Sequence, residues 1–371
     1  MIIGIPKEIK IHEYRIGMTP PSVRELTSRG HTVLVESESA SNIGFLDQDY
    51  LAAGAAITST ADEIYATAEL IVKVKEPQPV ERLQIRPNQA LFTYFHLAPD
   101  LAQTTDLIRQ QAICIAYETV TDNKGGLPLL TPMSEIAGRM SIQAGAAALE
   151  LNNGGSGILL SGVPGVAPGN VVILGGGVVG SNAARIALGM RADVTIIDKN
   201  PALLRQLDTE FNGRVKLIYS TQHHIEEALM QADLVVGSVL IPGDQAPKLI
   251  TRNMLCLMKK GSVIVDVAID QGGCTETSTP TTHQNPTYTE QDIVHYCVTN
   301  MPGAVAKTAT QALNNATLPY IIKLADLGIE RALQADQHLR NGLNLYQGKV
   351  TCEAVAHAHH LPYIPADKVI F

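Results

Sequence analysis

The chain has 371 residues, 45% of them hydrophobic and 17% charged, a composition that favours a folded protein of two domains over a disordered one. Its formal net charge of −8 argues against nucleic acid or an anionic membrane surface as a partner, and no apolar run is long enough to predict a membrane-spanning helix. The five widely spaced cysteines, and a first segment without the features of a secretory signal, favour a cytoplasmic protein with reduced thiols and no metal site.

In the first third of the chain, short β-rich runs alternate with helical segments. The predicted strands are Ile2–Ile5, Thr32–Glu36, Leu70–Val74, Leu91–Phe95 and Ile113–Tyr117. Alternation of this kind predicts an α/β domain with a mostly parallel sheet and helical crossovers.

A predicted helix over Met133–Asn152 and a passage rich in glycine and proline lead into a second α/β region. The predicted strands and helices of this region are Asn170–Leu174, Val178–Met190, Val194–Asp198, Pro201–Phe211, Val215–Tyr219, Ile225–Ala232, Leu234–Val239, Pro247–Met258, Val263–Val267 and Val294–Val298. After Pro302 the pattern is helical to about Gly342. Composition does not decide whether this last part forms a tail or returns to the first domain.

A glycine motif follows the strand Asn170–Leu174. Gly175, Gly177 and Gly180 have the G-x-G-x-x-G spacing, directly after a strand and at the start of a helix. The first glycine allows a tight turn, the second lets the backbone approach a diphosphate, and the third lets helix and strand pack closely. The helix N-terminus then offers N–H groups to the phosphates. The spacing alone also fits a glycine-rich turn without a ligand, so the surrounding sequence is needed to distinguish such a turn from a dinucleotide-binding motif.

Asp198 supplies that context, because it ends the next strand, 18 positions after Gly180. A carboxylate at this place binds the hydroxyl groups of the adenosine ribose and repels a 2′-phosphate, which favours NAD over NADP. The alternative is that Asp198 caps the helix that begins at Pro201. Because strand, glycines, helix, strand and acid occur in this order, the sequence predicts a doubly wound Rossmann-type sheet that binds NAD.

Four charged or titratable residues follow predicted strands, where the ligands of parallel sheets bind. They are Arg15, Lys75, His96 and Asp270. Cations there could hold a carboxylate and polarise a carbonyl, and an acid–base group could move protons. Each also has a simpler interpretation: Lys75 as a solvated lysine, which Lys73 is expected to be, His96 as a loop histidine, and Asp270 as part of a glycine-rich turn. The residues alone predict an NAD-linked enzyme that acts on a small carboxylated substrate.

A resemblance extends this interpretation. The chain resembles the bacterial alanine dehydrogenase family, which also contains the NAD-binding subunit of proton-translocating transhydrogenase. The segments that carry the resemblance are GIPKEIKIHEYRIGMTP, LIVKVKEP, FTYFHLAP, IAYETV, LPLLTPMSEIAGRM, GVPGVAPGNVVILGGGVVG, DQGGC and TNMPGAV. They span nearly the whole length and are far more specific than the glycine motif.

The resemblance implies reversible conversion of L-alanine to pyruvate and ammonium, with NAD as hydride acceptor. It implies that Arg15 and Lys75 bind the substrate carboxylate and carbonyl oxygen, and that His96 and Asp270 form the acid–base pair. Besides the glycines, the implied cofactor-binding residues are Ser134, Val178, Val179, Asp198, Ser220, Val239, Leu240, Val267, Ile269, Asn300 and Met301.

The family architecture implies two α/β domains flanking a cleft, usually in a homohexamer. Residues 1–130 plus 306–371 would form a discontinuous substrate domain, and residues 131–305 the NAD-binding domain. Leu203 and Thr279 depart from the family, whose members often carry a basic residue and an arginine at these places. Both departures lie near the adenosine or phosphate part of the implied cofactor, so they bear on NAD affinity.

Three other functions remain open on the sequence: a hydride-relay subunit of a transhydrogenase, an amino-acid dehydrogenase of the saccharopine or lysine type, and an NAD-binding sensor without catalysis. The relay subunit is disfavoured, because a pure hydride relay has no use for Arg15, Lys75 and His96. Oxidation of NADH by pyruvate, with and without ammonium, separates all of these.

Overall fold

The computed structural model describes residues 1–239 and 246–371 and divides into two compact units. The first unit comprises Met1–Met133 and Val305–Phe371, and the second comprises Ser134–Ala304. Each unit has its own sheet with helices, so the predicted α/β class with two domains is confirmed. The part of the chain after Pro302 does not form a tail, since it belongs to the first unit from Val305 onwards.

The strands lie in two sheets and are numbered in chain order. They are β1 (Ile2–Ile5), β2 (Thr32–Glu36), β3 (Ala56–Thr58), β4 (Leu70–Val72), β5 (Ala90–Thr93), β6 (Ile113–Ala116), β7 (Asn170–Leu174), β8 (Asp193–Asp198), β9 (Lys216–Tyr219), β10 (Leu234–Gly237), β11 (Val263–Asp266), β12 (Thr287–Glu290), β13 (Ile293–Tyr296), β14 (Leu343–Tyr346) and β15 (Lys349–Val350).

The α-helices are α1 (Pro20–Thr27), α2 (Asp47–Ala52), α3 (Ala61–Thr67), α4 (Pro79–Arg82), α5 (Leu101–Arg109), α6 (Thr131–Ala148), α7 (Val178–Gly189), α8 (Pro201–Phe211), α9 (Gln222–Gln231), α10 (Ala306–Leu327), α11 (Ile329–Ala335), α12 (Gln337–Arg340), α13 (Glu353–His359) and α14 (Asp367–Ile370). Short 3₁₀-helices cover Ser41–Ile43, Tyr117–Thr119, Leu151–Asn153, Arg252–Leu257, Val267–Gln271 and Met301–Val305. In the described part of the chain, no helix is both long and apolar enough to cross a membrane.

Within the described residues, the sheet of the first unit has the strand order β15-β14-β6-β5-β4-β1-β2-β3, and that of the second has β12-β13-β11-β10-β7-β8-β9. In the first sheet β14 is antiparallel to β6 and β15, and in the second β12 is antiparallel to β13. The other neighbours are parallel. The central strands β4, β5, β6 and β10 are buried along their whole length, as parallel strands covered on both faces must be.

Both sheets reverse their strand order once near the middle. The chain moves outward from β1 to β3 and resumes beside β1 with β4, and it does the same from β7 to β9 and back to β10. At such a reversal the loops leave the carboxyl ends of neighbouring strands in opposite directions and open a crevice, where open α/β sheets bind their ligands. Ligand sites are therefore expected at these two reversals.

The structure differs from the sequence prediction in a few elements. The prediction missed β3, β12, β14 and β15. Strand β4 ends at Val72 and β5 at Thr93, although the predicted strands continue to Val74 and Phe95, which are both fully buried. The helix predicted over Pro247–Met258 is wrong, since only the 3₁₀-helix Arg252–Leu257 forms there.

Candidate functional site

Arg15 lies in the loop between β1 and α1 and is held by Glu13. Its side chain is 2% exposed and that of Glu13 is fully buried. Nε of Arg15 donates to Oε1 of Glu13 at 2.7 Å, and Nη2 donates to Oε2 at 2.6 Å, so the guanidinium and the carboxylate meet as two parallel forks. Burial disfavours the charged form of Arg15, but the hydrogen bond and charge of Glu13 outweigh it and raise the pKa. Arg15 is therefore a permanent cation in a fixed plane.

Lys73, expected to be solvated, is buried, and that prediction is wrong. Its side chain has no exposed area, and Nζ lies 3.1 Å from Oε2 of Glu8 and 2.8 Å from Oε1 of Glu81. Burial lowers the pKa of Lys73, but the two carboxylates more than offset this and raise it. Tyr65 donates its hydroxyl hydrogen to the same oxygen of Glu81 at 3.1 Å. Lys73 is thus the centre of a buried ionic cluster, and its role is structural.

Lys75 lies two positions further along the chain and is half-buried. Its backbone N–H donates to Oε1 of Glu8 at 3.2 Å, and the N–H of Val74 donates to the same oxygen at 2.6 Å. The cluster around Lys73 therefore also fixes the backbone from which Lys75 projects at the carboxyl end of β4. Of the two lysines, Lys73 is fully buried and Lys75 is half-buried at that edge.

His96 follows β5, with its imidazole 48% exposed. The ring stacks on that of Tyr94, with centroids 5.9 Å apart and an angle of 7° between the planes. Tyr94 is itself fixed, because its hydroxyl donates to the carbonyl oxygen of Leu129 at 2.5 Å. Arg15, Lys75 and His96 thus all lie at the carboxyl edge of the first sheet, in loops that follow β1, β4 and β5.

In the second unit, Gly175 and Gly177 lie in the loop between β7 and α7, and Gly180 lies in the first turn of α7. Gly175 has φ +100°, which only glycine adopts without strain. A Cβ at Gly180 would lie 1.9 Å from the carbonyl oxygen of Gly175, so helix and strand could not pack as they do. A Cβ at Gly177 would meet no atom within 4 Å. The loop thus offers space beside the N-terminus of α7, as a bound diphosphate requires.

Asp198 ends β8 beside this loop. Its Oδ2 accepts the N–H of Gly176 at 2.7 Å, and its Oδ1 accepts the N–H of Asn200 at 2.8 Å. The alternative that Asp198 caps α8 is wrong, because the capping side chain is Asn200, which accepts from Ala202 and Leu203. The residues present therefore fit an adenine dinucleotide, since strand, glycine loop, helix N-terminus and acid occupy the relative places that the motif requires.

The other predicted cofactor-binding residues of the second unit lie in loops after strands, in 3₁₀-helices or in α6 and α7. Ser220 follows β9 and Val239 follows β10 at the reversal of strand order, whereas Leu240 lies outside the described residues. Val267 and Ile269 are in the 3₁₀-helix after β11, where Ile269 is only 3% exposed. The remaining residues differ in burial. Val178 is exposed, Ser134 and Asn300 are half-buried, and Val179 and Met301 are buried, Met301 in the core.

Asp270 is exposed in the same 3₁₀-helix, and Asp266 shapes the loop that carries it. The fully buried Asp266 carboxylate accepts the N–H of Ala268 at 3.1 Å through Oδ1. Its Oδ2 accepts the N–H of Cys274 at 2.9 Å and the hydroxyl of Ser278 at 2.6 Å. One carboxylate thus ties both ends of the segment that presents Asp270.

Sequence reasoning missed the residues that hold the predicted ones in place: Glu8, Glu13, Glu118, Ser238 and Asp266. Glu13 pairs with a side chain two positions away, and the others act on the backbone or on residues that are distant in the chain, contacts that leave no spacing pattern. The Ser238 hydroxyl, for example, bonds with the carbonyl oxygens of Leu174 and Gly175, both at 2.8 Å. Asp266 was within reach of sequence reasoning, because a buried acid at the end of an apolar strand needs partners.

Family models match both parts of the chain. Residues 4–137 match the N-terminal domain, and residues 141–353 match the C-terminal domain, of the family described as alanine dehydrogenase/PNT. The boundary between the two matches lies close to the division between the structural units after Met133. The resemblance that the sequence segments predicted is confirmed.

Named relatives agree with these models over their whole length. The chain is 55% identical over 370 residues to an alanine dehydrogenase of Halomonas elongata and 50% identical over 370 residues to one of Mycolicibacterium smegmatis, with 100% of both chains covered in each case. A solved L-alanine dehydrogenase matches with a TM-score of 0.93 and 52% identity, covering 96% of this chain and 99% of that one.

A transhydrogenase from Sinorhizobium meliloti shares the fold, with a TM-score of 0.83 and 23% identity over 94% of this chain and 100% of the other. At that identity the likeness extends to architecture alone, whereas the relatives named alanine dehydrogenase match at 50% or more over the full length. The chain therefore belongs to the alanine dehydrogenase family.

Proposed function

We propose that the protein is an NAD-dependent L-alanine dehydrogenase, which interconverts L-alanine with pyruvate and ammonium. The observation that carries the proposal is the set of polar groups at the carboxyl edge of the first sheet: a buried arginine, a half-buried lysine and an exposed histidine, each in a loop after a parallel strand. The full-length likeness to proteins named alanine dehydrogenase supports the choice of substrate.

Substrate binding falls to Arg15 and Lys75. The guanidinium of Arg15 binds the carboxylate of pyruvate or alanine, and Glu13 keeps its plane fixed for this purpose. The ammonium of Lys75 donates to the carbonyl oxygen of pyruvate and polarises the carbonyl bond for attack. Because Glu8 fixes the backbone of Lys75, its ammonium searches a restricted volume.

Proton transfer falls to His96 and Asp270. In the reductive direction ammonia attacks the carbonyl carbon of pyruvate, and the resulting carbinolamine must lose water to give the imine. His96 moves protons to and from the oxygen, since an imidazole changes charge near neutral pH. Asp270 accepts a hydrogen bond from the attacking nitrogen and orients it. NADH, when held by the glycine loop and Asp198 of the second unit, would supply the hydride for the imine carbon.

We further propose that residues 131–305 form the NAD-binding domain, and that residues 1–130 plus 306–371 form the substrate domain. The division of the structure after Met133 and after Ala304 supports these boundaries. The fit of the glycine loop and Asp198 to a dinucleotide supports the assignment of the cofactor to the second unit. A homohexamer and a cytoplasmic location stay predictions, to be checked by sedimentation and by cell fractionation.

The test is spectrophotometric. NADH should be oxidised by pyruvate only when ammonium is present, and NAD should be reduced when L-alanine is added. Turnover of pyruvate without ammonium would instead indicate a 2-hydroxy acid dehydrogenase. No turnover in either direction, with NADH still bound, would indicate an NAD-binding protein without this catalysis.

A further inference from the structure

The backbone that carries His96 adopts an uncommon conformation. His96 has φ +51°, in the left-handed region that residues with a side chain seldom adopt. Such a conformation is strained and persists where the surrounding structure determines it. The contacts that hold this loop therefore also determine where the imidazole points.

Glu118 makes the contacts on the N–H side of this loop. It lies in the 3₁₀-helix after β6, the strand next to β5. Its Oε1 accepts the N–H of His96 at 2.6 Å and that of Phe95 at 3.2 Å, and its Oε2 lies 3.3 Å from the same N–H of Phe95. One carboxylate thus binds two successive backbone donors at the strained position.

The carbonyl side of the loop is held by other elements. Nε2 of Gln103 in α5 donates to the carbonyl oxygen of Phe95 at 2.9 Å. The carbonyl oxygen of Leu97 accepts from Thr104 Oγ1 at 3.1 Å and from His359 Nε2 at 2.8 Å. The loop is therefore fixed on both sides of His96, and Glu118 is the carboxylate among these partners.

The same carboxylate also faces the imidazole. Nδ1 of His96 lies 3.9 Å from Oε1 of Glu118, whose side chain is only 15% exposed, whereas the ring itself is 48% exposed. Stacking on Tyr94 fixes the plane of the ring. One edge of the imidazole thus faces a shielded negative charge while the rest of the ring stays accessible.

We propose that Glu118 is a positioning residue for His96: its carboxylate fixes the left-handed backbone and faces Nδ1, so that Nε2 is presented to the substrate. When Nε2 takes up a proton, the imidazolium charge lies beside the carboxylate, which stabilises the charged form while it lasts. This inference rests on the proposed role of His96 in proton transfer.

The test is a double-mutant cycle with Glu118→Ala, His96→Ala and the double variant. If Glu118 acts through His96, Glu118→Ala should lower turnover by about tenfold to hundredfold, within the coupling range of contacting residues. NADH affinity and the KM for pyruvate should change by about twofold or less. In the His96→Ala background the same substitution should have no further effect on turnover, because nothing is left to position.

Glu118→Gln separates the two parts of the role and serves as the second variant if Glu118→Ala folds poorly. The amide oxygen can still accept the two N–H groups, so the thermal stability of Glu118→Gln should exceed that of Glu118→Ala and approach that of the unchanged enzyme. Its turnover should stay below that of the unchanged enzyme, because the charge is gone. The matched control is Glu69→Gln, since Oε2 of Glu69 accepts the N–H of Ile2 at 2.6 Å at the opposite, amino ends of the strands. The control should leave turnover unchanged.

Two results would overturn the inference, and they are distinguishable. Losses from Glu118 and His96 that multiply in the double variant would show that Glu118 acts independently of the histidine, while leaving the role of His96 intact. Near-normal turnover of His96→Ala alone would remove the role of His96 itself, and with it the reason for positioning it.

Discussion

In the first unit carboxylates hold the candidate cations and the loops that carry them, whereas in the second unit a main-chain loop of glycines offers the space for the candidate cofactor. Glu13 fixes Arg15, and Glu8 fixes the backbone at Lys75. In the second unit the corresponding surface is a glycine loop, whose shape depends on one N–H that Asp198 accepts. The cations of the first unit thus depend on buried charge pairs, whereas the glycine loop of the second unit depends mainly on steric fit.

The difference matters because the two kinds of site fail differently. Removing one member of a buried ion pair leaves the other charge uncompensated, which is costly for folding as well as for binding. Adding a methyl group to a glycine loop lowers the stability only where the new Cβ clashes with atoms that cannot move away, and it has little effect where the space is open. In the first unit, loss of a buried charge partner should lower both stability and ligand binding. In the glycine loop, a substitution in open space should lower ligand binding alone.

The largest effect is expected from the proposed proton-transfer groups, one in each unit. His96→Ala should lower turnover by about 10²–10⁴-fold, the usual contribution of general acid–base catalysis, and Asp270→Asn should act in the same direction. NADH binding should survive in both, measured by nucleotide fluorescence, since the chain has no Trp to quench. His357→Ala is the matched control, because His357 is exposed on α13. Loss of NADH binding in step with turnover would indicate a folding or cofactor defect instead.

The second prediction compares two lysines in one segment. Lys73→Met should lower the free energy of unfolding by about 3–5 kcal/mol, because Glu8 and Glu81 stay buried without their cation. Lys75→Met should leave the stability nearly unchanged and cost about 2–5 kcal/mol of transition-state binding. Urea unfolding and the kcat/KM for pyruvate measure the two effects. A Lys75→Met enzyme with most of its activity would show that Lys75 is merely a solvated lysine.

The third prediction compares two glycines. Gly180→Ala should destabilise the second unit by about 1–3 kcal/mol, because its Cβ would lie 1.9 Å from the carbonyl oxygen of Gly175. Gly177→Ala should unfold like the unchanged protein, since no atom lies within 4 Å of its Cβ, yet bind NADH about tenfold more weakly. Unchanged NADH affinity in Gly177→Ala would place the diphosphate elsewhere.

The smallest effect is expected at Asp198. Asp198→Ala should narrow the preference for NAD over NADP, mainly by weakening NAD binding about fivefold to tenfold through lost hydrogen bonds. Catalytic efficiency with both nucleotides measures this, and Asp193→Ala is the control, because Asp193 pairs with Lys216 at the other end of β8. Equal efficiency of the unchanged enzyme with NAD and NADP would refute the role of Asp198.

The glycine loop and the flanking strands could be predicted because local chemistry fixes them. The predicted bounds of β1, β2, β7 and α8 coincide with the structure, since an apolar run or a proline at the first helical turn marks each one. Strand β12, with the sequence Thr-Tyr-Thr-Glu, could not be found in this way, because an edge strand needs no apolar run.

The burial of Lys73 shows what the sequence could not provide. Its partners Glu8 and Glu81 come from the loop after β1 and from α4. The spacing of these residues in the sequence does not predict that the fold brings them together. Glu118 escaped notice for the same reason, since its contact with His96 depends on the neighbouring positions of β5 and β6. Charge pairs between distant segments depend on the order of the strands in the sheet, and a single sequence does not give that order.

The interrupted course of the first unit has a consequence for synthesis. A ribosome delivers β1 to β6 first, then the whole of the second unit, and only afterwards β14, which pairs antiparallel with β6. Until Leu343–Tyr346 has emerged, β6 therefore forms an open edge with unpaired backbone groups. The second unit is therefore synthesised in full before the first unit has its last strands, and during this interval the open edge of β6 is exposed to pairing with another chain.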